Sequence, residues 1–209
     1  MSEFTSGNLV LNKFKPSVQK YNPIFMDELN DKWSLFFTEG TEVSEDCPHD
    51  VMGITQEAPV LYFYNFEDHG WGFSILQQGS VIATFDFSYE QEEIELMKYV
   101  QEKFPDQDHI ELLYLNPDSH VFKENMLLEL QQLRSCEDRA KTLLERLDVG
   151  TFSLFELGDE QLEQLRHLFE LGNLLNPHNR YKLVDEFKSI LGIEAMSWIR
   201  VDRLERLQE

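Results

Sequence analysis

Residues 59–88 read PVLYFYNFEDHGWGFSILQQGSVIATFDFS, and this stretch decides the fold. It opens with Pro59 and a run of β-formers, Val60 to Phe66. Glu67-Asp68-His69-Gly70 follows as a turn, then Trp71 to Gln77, the turn Gln78-Gly79-Ser80, and Val81 to Ser88. Three β-rich runs joined by short glycine-bearing turns predict an antiparallel meander. In the first run Val60, Tyr62, Tyr64 and Phe66 fall on one face, and Leu61, Phe63 and Asn65 on the other. Both faces are apolar, so something is expected to cover each.

Outward from this centre the signals weaken. Upstream, residues 1–23 read as an irregular arm with prolines at Pro16 and Pro23, and a short strand over Leu9 to Phe14. Phe25, Met26, Leu29, Trp33, Phe36 and Phe37 recur at steps of three and four. That spacing predicts one helix, with a strand over Lys32 to Thr38 as the competing reading. Residues 39–59 read as a long acidic loop. Downstream, Ser88 and Gln91 form a capping-box pattern for a helix that ends at Pro105. His109 to Leu115 reads as a short strand. Met126, Leu130, Leu133, Glu137, Ala140, Leu144 and Leu147 keep a heptad step and predict one long helix over 121–147. Thr151 to Leu157 reads as a strand, 160–171 and Tyr181 to Leu191 as amphipathic helices, and Gly192 as a stop. A turn is expected at Gly172, Asn176, Pro177 and Asn179.

The fold class expected is therefore α+β: an antiparallel meander near residues 59–88 packed with helices, then a helix-rich C-terminal half. The chain divides by charge. Residues 1–118 carry 6 Lys, no Arg and 22 Asp or Glu, a net of −16, with 19 of the 26 aromatics. Residues 119–209 carry 12 Lys or Arg and 17 acids, a net of −5. An acidic, aromatic-rich part over 1–118 and a helix-rich part over 119–209 are expected, either as one continuous domain or with a seam near Asn116 to Ser119.

Charge also narrows the partners. A net charge of −21 and a pI near 4.5 argue against phosphate backbones and anionic membrane surfaces, which need clustered Lys and Arg. Acidity also serves plain solubility. No apolar stretch approaches the roughly 18 residues of a spanning helix. The N-terminal MSEFTSGN has neither a basic nor an apolar leader region. Two cysteines, Cys47 and Cys136, without any CxxC pattern fit a reducing compartment. A cytoplasmic protein, monomer or homodimer, is expected. The favoured partner is a basic protein, with no nucleic acid and no membrane, as for adaptors or inhibitors that neutralise a basic target.

The groups offered to such a partner are Glu67, Asp68, His69 and Trp71 around the first turn, with Asp86 and Glu90. An alternative uses Cys47, His49, Asp68 and His69 as a metal site or a His/Asp hydrolase site, since all four side chains are zinc-competent or proton-transferring. Against it, Asp-His-Gly between strands is also a good hairpin turn. No HExxH, Walker A, G-x-S-x-G or G-x-G-x-x-G is present, so no cofactor is expected.

Overall fold

The computed structural model describes residues 4–133, 136–176 and 181–204. The expected meander is there: β4 (Val60–Phe66), β5 (Gly70–Gln77) and β6 (Ser80–Ser88) pair antiparallel in sequence order. They form half of a larger sheet. β1 (Phe4–Leu11), β2 (Phe25–Glu28) and β3 (Trp33–Phe37) complete six strands in the order β2-β3-β1-β4-β5-β6, all antiparallel. The α+β class holds, and helices dominate the C-terminal half.

β1 corrects the expected arm. It is a central strand, paired with β3 on one side and β4 on the other. Its polar residues are buried and only partly served from within: Thr5 Oγ1 donates to Met196 O at 3.0 Å and Asn8 Nδ2 to Phe36 O at 3.3 Å, while Ser6 Oγ and Asn8 Oδ1 have no hydrogen-bond partner. The helix expected over Phe25 to Phe37 is the β2–β3 hairpin. The alternative strand reading was the right one there, because β3 is buried on both faces and shows no alternation.

Each face of the sheet is covered, as expected. One face presents Leu9, Leu11, Trp33, Leu35, Phe37, Leu61, Phe63, Trp71, Phe73, Ile75 and Phe85 to a single apolar cluster. Its lid comes from the C-terminal half. It includes the 3-10 segment Val149–Phe155, α5 (Asp159–Leu168), α6 (Leu171–Leu175) and α7 (Lys182–Leu191). Phe187 of α7 sits at the centre, its ring 4.9 Å from that of Phe73 and stacked on it, 5.3 Å from Trp71 and 6.0 Å from Phe63. Gly192 ends α7 at φ 73°, the left-handed position that favours glycine. The opposite face presents Val10, Phe36, Val60, Tyr62, Tyr64, Phe66 and Leu76. It is covered by Val18 of α1 (Lys15–Gln19) and by Val51 and Ile54 of a 3-10 helix, His49–Gln56. The expected long loop is thus partly helical. Asp50 fixes its start by accepting from Thr38 Oγ1 at 2.8 Å and Gly40 N at 2.9 Å.

A separate cluster lies off the sheet. Leu96 and Val100 of α2 (Gln91–Lys103) meet Leu113, and Met126 and Leu130 of α3 (Ser119–Leu133). The helix expected to start at Ser88 is present but begins later, at Gln91 with Glu90 as N-cap, because Ser88 is still the last residue of β6, and the capping box does not form. Ser88 Oγ accepts from Glu90 N at 3.3 Å rather than from Gln91 N, and the Gln91 side chain turns to Glu95. Glu111–Leu115 is one turn of π-helix and Val149–Phe155 a 3-10 helix, where strands were expected. The heptad seam serves two cores. Met126 and Leu130 face α2, Leu133 is exposed, and Ala140 of α4 (Cys136–Leu144) with Leu144 and Leu147 joins the sheet cluster. Residues 134–135 fall outside the described set, as do Pro177 and Asn179 of the expected turn. The last segment holds 3-10 turns at Glu194–Met196 and Val201–Arg203.

Candidate functional site

The β4–β5 turn and the end of β6 bring five of the six expected partner-binding residues to one end of the sheet. The turn closes by His69 N donating to Phe66 O at 2.6 Å, and Tyr89 N donates to His69 O at 2.8 Å. His69 Nδ1 stands 3.1 Å from Glu90 Oε2. Asp86 lies one strand residue from Phe87 and accepts from Tyr64 Oη at 2.5 Å. That bond and burial together push the Tyr64 hydroxyl up in pKa, burial contributing most. Gly72 is needed beneath them: a Cβ there would meet Phe85 O at 2.4 Å and Tyr64 Oη at 2.7 Å. What comes close to the glycine is therefore the protein's own β6 backbone and Tyr64, as the plain hairpin reading requires.

The loop before the 3-10 helix adds a residue the sequence did not single out. Glu45 is held above the usual carboxylate range, first by partial burial and then by Asp86, Asp46 and Glu90, while His69 pulls it down. Carboxylates from three separate segments thus share one field. Sequence spacing gives no sign of it, since residues 45, 86 and 90 meet only through the crossing of loop and sheet.

Trp71 is the correction to this set. Its side chain is fully buried, with ring neighbours Phe85 at 5.0 Å, Phe187 at 5.3 Å and Phe169 at 6.3 Å. It holds the core and offers no surface to a partner. The alternative metal set is not assembled either. Among the described residues no three His, Cys, Asp or Glu side chains gather as a metal site. Cys47 is a free, half-buried thiol packed under the second face of the sheet, and His49 is exposed at the start of the 3-10 helix. Burial, with Asp50 and Asp46, pushes the Cys47 thiol up to about 12. Such a thiol is almost wholly protonated at neutral pH and is a poor nucleophile.

On the other side of the turn a cleft of about 280 Å³ opens between the sheet and α7, lined by Asn65, Glu67, Asp68, Tyr89, Tyr181 and Asp185. Tyr89 points into it while Glu90, next in the chain, meets His69. Asn65 is 4% exposed, and its Oδ1 accepts no hydrogen bond. The signal for Asn65 was in the sequence: a lone amide on the core face of VLYFYNF is an uncommon buried polar group. Tyr181 and Asp185 had none, because α7 docks there only in the folded chain. A larger groove of about 450 Å³ runs along the β6 edge past Val81, Ile82 and Arg146. Thr84 N there donates to Arg146 O at 3.0 Å, closing part of the strand edge.

Among the described residues no helix is long and apolar enough to cross a membrane. The chain matches no protein-family model, no curated protein and no solved structure.

Proposed function

We propose that the chain is a non-enzymatic interaction module, of the adaptor or inhibitor kind, that binds a basic protein at the carboxylate-rich end of its sheet. The observation that carries this reading is the gathering of acidic side chains at one end of the sheet, where Glu90 stands beside His69, where Asp86 accepts from Tyr64, and where Glu45 is raised first by its own partial burial and then by the charges of Asp86, Asp46 and Glu90. Like charges held together raise the energy of the free surface. A cationic partner relieves that cost on arrival, and the same field steers it there. The net charge of −21 disfavours nucleic acid and anionic membrane as rivals for this surface. A cytoplasmic location, and a monomer or homodimer, go with the reading.

The test is affinity capture from the source cell's lysate at low salt, run in parallel with a Glu45→Gln/Glu90→Gln variant. The expected result is a basic protein retained by the native chain, released by salt and not retained by the variant, because surface attraction is screened over about 8 Å at physiological ionic strength. Retention that ignores both salt and the variant would remove the reading.

A further inference from the structure

We infer that the open half of the β6 edge, residues 84–88, receives an extended basic segment of the partner proposed above, which adds to the sheet as a seventh strand. The source of the segment rests on that proposal, whereas the edge stands on its own geometry.

The starting point is the direction of the β6 backbone. β6 is the last strand of the sheet, so one of its sides has no strand neighbour. In an antiparallel pair successive residues turn their N–H and C=O to alternate sides. A Cβ on Gly70 would meet Phe87 O at 2.6 Å, and one on Gly72 would strike Phe85 O, so residues 85 and 87 face β5. Thr84 N donates the other way, to Arg146 O at 3.0 Å. Thr84, Asp86 and Ser88 therefore turn their backbone groups to the edge. Arg146 O takes the place of a strand carbonyl there, and it serves Thr84 N alone. Among the described residues nothing pairs with the N–H or C=O of Asp86 or with the N–H of Ser88, and Asp86 is exposed. An edge of this kind is a template for another strand. The template is short. The ladder is irregular opposite Ile75 and Leu76 at one end, and α2 starts at Gln91 beyond the other.

Charge selects the occupant. The Asp86 side chain lies on the face of Tyr64, whose hydroxyl donates to its Oδ1 at 2.5 Å. A residue set opposite Asp86 in an antiparallel pair has its Cα about 5.5 Å away and its side chain on that same face. There it enters the field of Asp86 and Glu45, with Glu90 already beside His69 Nδ1 at 3.1 Å. That position calls for lysine or arginine. The next residues of the segment turn to the other face, beside Phe87, which is half-buried against the lid cluster, so apolar side chains suit them. The segment is therefore a short run that alternates basic and apolar residues. A second copy of β6 fits badly. Because Arg146 O closes Thr84 N, a two-fold pairing centres on Asp86 and sets two carboxylates opposite each other, which is destabilising. A charge on an edge strand commonly guards it against self-pairing, and a basic strand is the kind this guard admits.

The test uses the full chain at low salt, titrated with the capped peptide acetyl-Lys-Val-Lys-Val-Lys amide and, separately, with the same peptide N-methylated at its central lysine, followed by backbone amide NMR. Methylation keeps the charge and removes the N–H that would donate to Asp86 O. The expected result is shifts at Asp86 and Ser88 with slower exchange of both amides, and binding of the unmodified peptide roughly tenfold more tightly than of the methylated one. Asp86→Asn weakens the unmodified peptide. Should Asp86→Asn fail to fold, Glu45→Gln is the second variant, and it must weaken the same peptide. Equal binding of the two peptides, no binding of either, or undiminished binding in the variant overturns the inference. So does a dimer by light scattering in which Asp86 and Ser88 amides are already protected, since the edge would then belong to a second copy. If both peptides bind equally and salt releases both, the acidic end attracts cations without adding a strand, and the partner reading survives alone. If the unmodified peptide adds as a strand while lysate capture retains no basic protein, the edge stands and the partner reading falls.

Discussion

The lid over the sheet and the α2–α3 pair are both helical, yet they are held by different means. The lid is an aromatic knot. Phe187 stacks on Phe73 and touches Trp71, Phe63, Phe152 and Phe169, all buried. The α2–α3 pair has a small aliphatic core of Leu96, Val100, Leu113, Met126 and Leu130. Half-buried Met97, Tyr99, Phe104 and Phe122 rim it, with Phe104 and Phe122 ring centres 5.6 Å apart, and ion pairs lie outside: Lys103 with Glu129, and Lys123 with Glu93 at 2.7 Å, to which Tyr114 also donates. It also leaves Leu115, Val121, Leu128 and Leu133 exposed. Buried aromatic area is worth far more than surface charge pairs. The sheet with its lid should therefore open as one cooperative body, and the α2–α3 pair should be the first part to open locally.

The largest test of that contrast is Phe187→Ala. It should cost about 3–5 kcal/mol and unfold the sheet and lid together in urea. Loss of the α7 signal alone, with the rest intact, would break the comparison. Leu96→Ala should come next, at about 2–3 kcal/mol. Its effect should be confined: amides of 91–133 exchange faster, while those of β4 to β6 keep their protection.

Glu45→Gln should have a smaller, pH-dependent effect. The carboxyl of Glu45 is raised in the folded state, so over the window between its unfolded and folded values the native chain binds more protons than the unfolded one. Stability then falls as pH rises through that window and stays lower above it. The glutamine variant escapes this loss. Its melting temperature should equal that of the native chain below the ordinary carboxylate range and exceed it modestly at neutral pH. A difference that is constant with pH would show that packing, not charge, is the cause. The smallest effect is expected from Lys103→Met. Glu129 is held below its usual range by hydrogen bonds from Lys103 and then Tyr99, but the pair is open to water. The melting temperature should not move measurably, and a clear drop would mean that the ion pairs carry more of the α2–α3 unit than its core.

The contrast also explains what could be read in advance. The meander was legible because VLYFYNF, GWGFSILQ and VIATFDFS are separated by turns with a local chemistry of their own. α7 and its Gly192 stop were legible for the same reason: apolar spacing and a cap are properties of neighbours in the chain. Short apolar runs such as His109 to Leu115 and Thr151 to Leu157 carry too few residues to reveal their period, and both are helical. β1 was missed because FTSGNLVL contains four small polar or glycine residues, which look like a loop until Met196 O and Phe36 O receive their hydrogen bonds.

At the candidate site, charge alone pointed to Glu67, Asp68, His69, Asp86 and Glu90. Asn65 left a trace, as a lone amide on the core face of VLYFYNF, whereas Glu45, Tyr89, Tyr181 and Asp185 were out of reach, since what makes them notable is a neighbour far along the chain.

By itself, then, the sequence determined the α+β class, the antiparallel meander, the need to cover both of its faces and the acidic character of the N-terminal part. These follow from local backbone preference, alternation and summed charge. Only the tertiary structure decided that β1 lies at the centre of six strands, that Trp71 is core rather than contact, and that Cys47 and His49 do not join Asp68 and His69. It also decided that α7 docks beside the β4–β5 turn, so that Tyr181 and Asp185 line one cleft with Glu67, Asp68 and Tyr89. Each of these depends on long-range pairing, in which strand order and helix docking set which side chains share a field and which are sealed from water.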